Sequence, residues 1–173
     1  VIRNKIANYL ASNGFNEMMA VSLSQSKYYQ EVLPIYETSQ LVYINNTSNV
    51  HLDIMRPEML LSGLEAILHN QNRQSQDLKL FELCKSYVQN EDEISETEHL
   101  SLFISGNRNP ESWIATGEDK SSFYTIKAYA ANILKRLGFS NYQERNIRDE
   151  VFGYGLEWHR GPQSLVKLGL VQP

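Results

Sequence analysis

Three stretches of the chain carry apolar residues at helical spacing. Ile2, Ile6, Tyr9 and Leu10 mark the first, and Asn13-Gly14 supplies a C-terminal stop. Leu60, Leu64, Ile67 and Leu68 form a second stripe, opened by Pro57 and Glu58. Proline suits the first turn of a helix, and an acid suits the positive end of the dipole. Ile126, Ala130, Ile133, Leu134 and Leu137 form the third, with Ser121 or Ser122 as its cap and Gly138 at its stop. Ser24 is the expected N-cap of a shorter helix running to about Leu33, before Pro34.

Elsewhere the period changes to two. Leu78 to Val88 puts Phe81, Leu83 and Tyr87 on one face, and Leu80, Glu82 and Cys84 on the other. His99 to Ser105 alternates in the same way, and the two runs predict antiparallel neighbours joined through an acidic loop, Gln89 to Glu98. Phe15 to Leu23 reads as a strand, Leu41 to Ile44 as β-like, and Asn45 to Asn49 as a polar loop. Asn107 to Ser121 is turn-rich. Strands are expected at Tyr142 to Ile147, Tyr154 to His159 and Leu165 to Leu170, with Gly161-Pro162 turning between the last two. Helices mixed with antiparallel strands, without a βαβ alternation, predict an α+β fold.

Composition narrows the classes. The 173 residues are 42% hydrophobic, enough for one sizeable domain spanning 1–173. The net charge is −4, without a run of Lys or Arg, which argues against a domain built mainly to grip nucleic acid. Cys84 is the one cysteine, so an internal disulfide is excluded and a cytoplasmic, reducing setting is expected. No run approaches the ~18 apolar residues of a membrane helix. The chain starts on Val1 and stops on Gln172-Pro173, so it is expected to be a fragment of a longer protein.

Two residues are chemistry candidates. Arg56 sits at a sheet edge ahead of a helix N-terminus, where it has two uses: to grip a phosphate or carboxylate, or to pair with a nearby acid such as Glu82. Glu82 lies in an apolar strand and needs a partner, either a structural one or a ligand. Neither a Gly-rich phosphate loop nor a nucleophile elbow is present. His51, His69, His99 and His159 lack metal-type spacing. Asp92, Glu93, Glu96 and Glu98 read as a solvated tip, and Trp158 as core; Trp113 is a candidate interface anchor.

A series of short motifs in fixed order adds to this reading. Gly14-Phe15-Asn16-Glu17 runs on to Ser22-Leu23; Asn45 to Ser48 follows, then Met55-Arg56 and the Leu60-Leu61-Ser62-Gly63-Leu64 helix towards Asn72-Arg73. Leu80-Phe81-Glu82-Leu83-Cys84 comes next, then Trp113 and Phe123 to Lys127. The series resembles the synthetase-like core domain of the β subunit of bacterial-type phenylalanyl-tRNA synthetases. Asn46-Thr47 departs from the usual Pro-Leu, Pro57-Glu58 from small hydroxyl residues, and Cys84 from Gly.

The resemblance implies a class II aminoacyl-tRNA synthetase fold, an antiparallel sheet flanked by helices. It implies a catalytic-like module that packs against an α subunit in an (αβ)₂ assembly, while that subunit binds ATP, magnesium, phenylalanine and the tRNA end. It implies that the whole complex contacts tRNA, with editing and anticodon contacts in other β domains. The fragment alone is expected to be inactive and to hold no cofactor. A class II site needs bidentate cations on the triphosphate, yet the strand from Leu80 to Val88 has Lys85 and no Arg, and Gly169 to Pro173 lacks a Gly-x-Gly-x-x-Arg run. Arg56 is therefore predicted to order the helix start and sheet edge, with Glu82 as the acid. The alternative is a class II-like paralogue that uses Arg56 and Glu82 to bind an amino acid or nucleotide.

Overall fold

The structure, a computed structural model, describes residues 2–45, 49, 51–91, 93–109, 113–114, 119–149 and 151–171. They divide into two compact units, Val1–Ser105 and Gly106–Pro173.

The first unit runs α1 (Ile2–Ser12), β1 (Asn16–Glu17), β2 (Leu23–Ser24), β3 (Ile54–Met55), α2 (Leu60–Gln71), β4 (Leu78–Asn90) and β5 (Glu93–Ser105). Ile6 and Leu10 are the buried positions of α1. The helix ends at Gly14, whose φ of 82° belongs to the left-handed region that glycine adopts without strain. The Phe15 N–H then turns back to the Leu10 carbonyl at 3.1 Å. β1 pairs in parallel with β4, which pairs antiparallel with β5; β2 and β3 form a separate antiparallel pair. Tyr29, Leu41 and Ile54 make a buried cluster, with Tyr28, Tyr36 and Leu61 packed around it.

Several sequence expectations are corrected here. The Phe15–Leu23 strand is two short strands, β1 and β2, with an irregular strap between them. Ser24 lies in β2 rather than capping a helix. The acid at the start of that turn is Asp53, which accepts from the Ser26 N–H at 2.8 Å and from its hydroxyl at 2.6 Å. A π-helix, Tyr28–Val32, follows. The expected Gln89–Glu98 loop is strand almost throughout, with β4 and β5 paired from Leu78↔Ser105 to Asn90↔Glu93. Exposure on both faces removes the apolar alternation by which a strand is recognised. α2 begins at Leu60, three residues after Pro57, and only Gly63 along it is buried; Leu68 is exposed. Gly63 sits against the Phe103 ring, where an added Cβ would lie 2.1 Å from the nearest ring carbon. Asn46, Thr47, Ser48 and Asp92 lie outside the described residues.

The second unit holds α3 (Phe123–Arg136), β6 (Gln143–Ile147), β7 (Phe152–Arg160) and β8 (Gln163–Val171). Ser122 and Thr125 form a capping box at the start of α3, and Gly138, at φ 83°, follows its end. The strands form an antiparallel sheet in the order β6-β7-β8. α3 packs Phe123, Ala130 and Leu134 on Leu156, Trp158 and Leu168 of one sheet face. Trp158 is fully buried, as its strand position predicted, while Trp113 is exposed.

Candidate functional site

The folded first unit brings Arg56 and Glu82 together. Arg56 follows β3 directly, and Glu82 lies in β4 on the face that turns toward it. Both are buried: Arg56 is 2% exposed and Glu82 6%. Arg56 Nη2 donates to Glu82 Oε1 at 2.9 Å. Nε donates to the Lys85 carbonyl at 3.1 Å, and Nη1 to the Val21 carbonyl at 3.3 Å. Each guanidinium nitrogen therefore ends on a protein oxygen. The other Glu82 oxygen, Oε2, accepts from the Ala20 N–H at 3.1 Å.

The Arg56 backbone is held as well. Its N–H donates to the Ser22 carbonyl, and its carbonyl accepts from the Tyr87 N–H at 3.0 Å. The pair thus ties three backbone segments together: the strap after β1, the end of β3, and β4. A charge taken out of water needs both an opposite charge and hydrogen bonds, and here Arg56 has Glu82 as its counter-charge and a bond from each of its three nitrogens.

Next to the pair lies a half-buried acid. Glu58 caps α2, accepting from the Leu60 and Leu61 N–H groups through separate oxygens, and also accepts from the Tyr29 hydroxyl at 2.7 Å. Burial pushes its carboxyl above the ordinary carboxylate range, although Tyr29, the two amides and Arg56 pull the other way. Burial, and then the Glu58 charge, raise the Tyr29 hydroxyl strongly. Tyr28, the preceding residue, donates to Glu65 of α2 at 2.6 Å. The π-helix therefore aims two successive tyrosines at acids seven residues apart around one helix. Sequence inspection linked Glu58 to the helix dipole but missed both tyrosines, whose partners lie 29 and 37 residues further on.

Further along the hairpin, Ser86 Oγ lies 2.8 Å from His99 Nε2, and burial pushes the His99 ring below its ordinary value. Cys84 is a free, buried thiol that burial pushes up, 3.8 Å from Ser101 Oγ. Among the described residues, no cluster of three His, Cys, Asp or Glu side chains is placed to hold a metal ion.

The second unit holds an Arg–Glu pair of its own. Arg145 of β6 and Glu157 of β7 are cross-strand neighbours, with Nη2 and Oε2 2.5 Å apart. Hydrogen bonding from Ser164, and then from Arg145, holds the Glu157 carboxyl below its ordinary value.

Residues 1–156 match the family model described as the phenylalanyl tRNA synthetase beta chain CLM domain. The chain belongs to the phenylalanyl-tRNA synthetase β-chain family. It is 37% identical to the phenylalanine–tRNA ligase beta subunit of Bacteroides thetaiotaomicron, over 98% of this chain and 22% of that protein. The corresponding subunit of Thermotoga maritima is 30% identical over 80% of this chain and 17% of its own length. The chain thus spans about a fifth of the length of these relatives. Among solved structures, pyrrolysyl tRNA synthetase from Desulfitobacterium hafniense superposes with a TM-score of 0.67 at 16% identity, covering 96% of this chain and 54% of that one. The fold is therefore a tRNA-synthetase fold of mixed α+β type with antiparallel sheets.

Proposed function

We propose that the chain is a non-catalytic core module of the β subunit of a phenylalanine–tRNA ligase. Its role is to pack against an α subunit in an (αβ)₂ assembly and so support ATP-dependent charging of tRNA(Phe) in the cytoplasm. In this reading both units belong to the catalytic-like core. ATP and magnesium serve the α subunit, and tRNA is contacted by the whole complex.

One observation carries the reading. Arg56, the arginine best placed by sequence to meet a phosphate, is buried and has all three nitrogens donating to protein oxygens. A triphosphate requires cationic donors free to turn toward it. Of the paired strands, β4 contributes Lys79 and Lys85 and β5 no base but His99, and neither contributes an arginine. Arg56 and the two strands therefore do not fit ATP.

The test is co-expression of the whole β chain with its α subunit, sizing of the product, and phenylalanine-dependent pyrophosphate exchange on the chain with and without α. Expected are a stable mixed complex and exchange only when α is present. Exchange by the chain alone would overturn the reading and favour the paralogue that binds an amino acid or nucleotide through Arg56 and Glu82. That paralogue also predicts a thermal shift, since a ligand at 100 times its Kd stabilises a fold by about 2.7 kcal/mol.

A further inference from the structure

The outer half of the β4–β5 hairpin is a two-stranded arm, and its two edges differ. The β4 edge is covered. The Tyr87 N–H donates to the Arg56 carbonyl at 3.0 Å, and the Lys85 carbonyl accepts from Arg56 Nε at 3.1 Å. A 3-10 turn, Thr38–Gln40, lies beside the end of β4. The β5 edge is open: among the described residues β5 pairs with β4 alone, and Glu93 to His99 are exposed throughout.

The covered edge fixes where the open edge points its backbone. Antiparallel partners alternate between residues that bond each other and residues that bond away from each other. Lys85 and Tyr87 bond away from β5, so their partners Glu98 and Glu96 direct N–H and C=O away from β4. The period of two adds Ile94, opposite Gln89. Three residues thus present donors and acceptors along one line, on a strand paired along its other side from Leu78↔Ser105 to Asn90↔Glu93. Such an edge is a template for a further strand, and a template fixed in advance lowers the entropy lost on docking.

Side chains select the strand. Ile94, which is 56% exposed, shares one face with Glu96, Glu98 and Lys85. Over Lys85–Asn90 and Glu93–Glu98 the arm has one lysine against three glutamates, and that lysine pairs with Glu96. A second copy of β5 would set glutamate beside glutamate, which opposes pairing. A phosphate backbone selects Lys and Arg, which this edge does not offer. A strand with bases at two alternate positions, and an apolar residue at the next, meets Glu98, Glu96 and Ile94 in turn.

We infer that the open edge of β5, at Ile94, Glu96 and Glu98, is a docking site for an extended basic polypeptide segment that joins the sheet as an antiparallel strand. The inference stands apart from the assembly reading above.

The experiment uses the whole β chain and a synthetic peptide, blocked at both ends, that contains the run Lys-Thr-Lys-Thr-Val. Binding is read by fluorescence anisotropy, and hydrogen exchange is read at single amides. The peptide is expected to bind and to slow exchange at Ile94, Glu96 and Glu98 by more than about tenfold. Glutamate in place of both peptide lysines should weaken binding by more than about tenfold. Glu96→Lys/Glu98→Lys should reverse the preference between the two peptides. Ile94→Pro removes one outward N–H and no charge, a change that a strand edge tolerates. It should weaken the lysine peptide by more than about tenfold while the Ser95 and Thr97 amides stay protected.

No binding of the lysine peptide, or equal binding of the glutamate peptide, would overturn the inference. Binding that leaves the three amides unprotected, or that Ile94→Pro does not weaken, would reduce the contact to surface charge and overturn strand addition. Should Ile94→Pro expose Ser95 and Thr97, the charge reversal and the protection pattern decide. Amides already slow in the free chain would place another segment on the edge, or a second copy if sizing shows a dimer, and either would overturn the inference.

Discussion

The two units each contain an Arg–Glu pair, and the pairs differ in nearly everything but chemistry. Arg56 and Glu82 are both buried, come from elements 26 residues apart, and are bonded further to three backbone groups. Arg145 and Glu157 face each other across β6 and β7, and the arginine side chain is 63% exposed. The first pair closes a gap between sheets where no backbone ladder runs. The second decorates a ladder that already exists. The same two side chains are thus a fully buried joint in one place and a half-exposed contact in the other, where Glu157 is buried and Arg145 reaches water.

The sharpest break in this comparison is Glu82→Gln. It leaves the Arg56 charge buried without its counter-charge and should destabilise the fold by about 3–5 kcal/mol in urea titration, whereas the Arg56→Met/Glu82→Leu double variant should recover most of that loss. A single-variant cost below about 1 kcal/mol would show that water reaches the pair.

Next in size is Gly63→Ala. Helix propensity favours alanine by about 1 kcal/mol, but the new Cβ meets the Phe103 ring. Overpacking costs about 1–3 kcal/mol, so a net loss is expected in thermal unfolding. Adding Phe103→Leu should reverse it.

Arg145→Ala should cost less than Glu82→Gln, because Arg145 is 63% exposed and Glu157, although buried, keeps its hydrogen bond from Ser164. A larger effect would mean that the two pairs are more alike than their exposures indicate.

The smallest effects concern titration. Glu157 is depressed, so its contribution to stability is present above its ordinary value of 4.5 and is lost as pH falls through the folded value. Ser164 leads the causes and Arg145 adds a hydrogen bond and its charge, so Ser164→Ala and Arg145→Ala should each raise the Glu157 midpoint, as read by NMR of the side-chain carboxyl. Glu58 runs the other way. Its carboxyl is raised, so its contribution is full below 4.5 and is lost as pH rises through the folded value.

Legibility followed the range of the forces involved. The three helices and the strands β4, β7 and β8 show in the sequence because each has one apolar face and a local stop. Gly14, Gly138 and Gly161 mark ends that need positive φ, and the backbone takes it there. The outer half of the β4–β5 hairpin was missed because neither of its faces is buried. The Tyr28–Val32 π-helix was missed because its reason lies in Glu58 and Glu65, far along the chain. Arg56 and Glu82 were legible as candidates, since a charged residue at a sheet edge and an acid in an apolar strand both demand a partner.

Local periodicity, caps and stops, together with the ordered motifs from Gly14 to Lys127, were enough for the α+β class and the family. They could not decide what Arg56 does. An arginine ahead of a helix serves a ligand or a fold equally well until its surroundings are known. Only tertiary structure placed the Val21 and Lys85 carbonyls and Glu82 around it, because desolvation and hydrogen bonding depend on neighbours in space rather than in sequence.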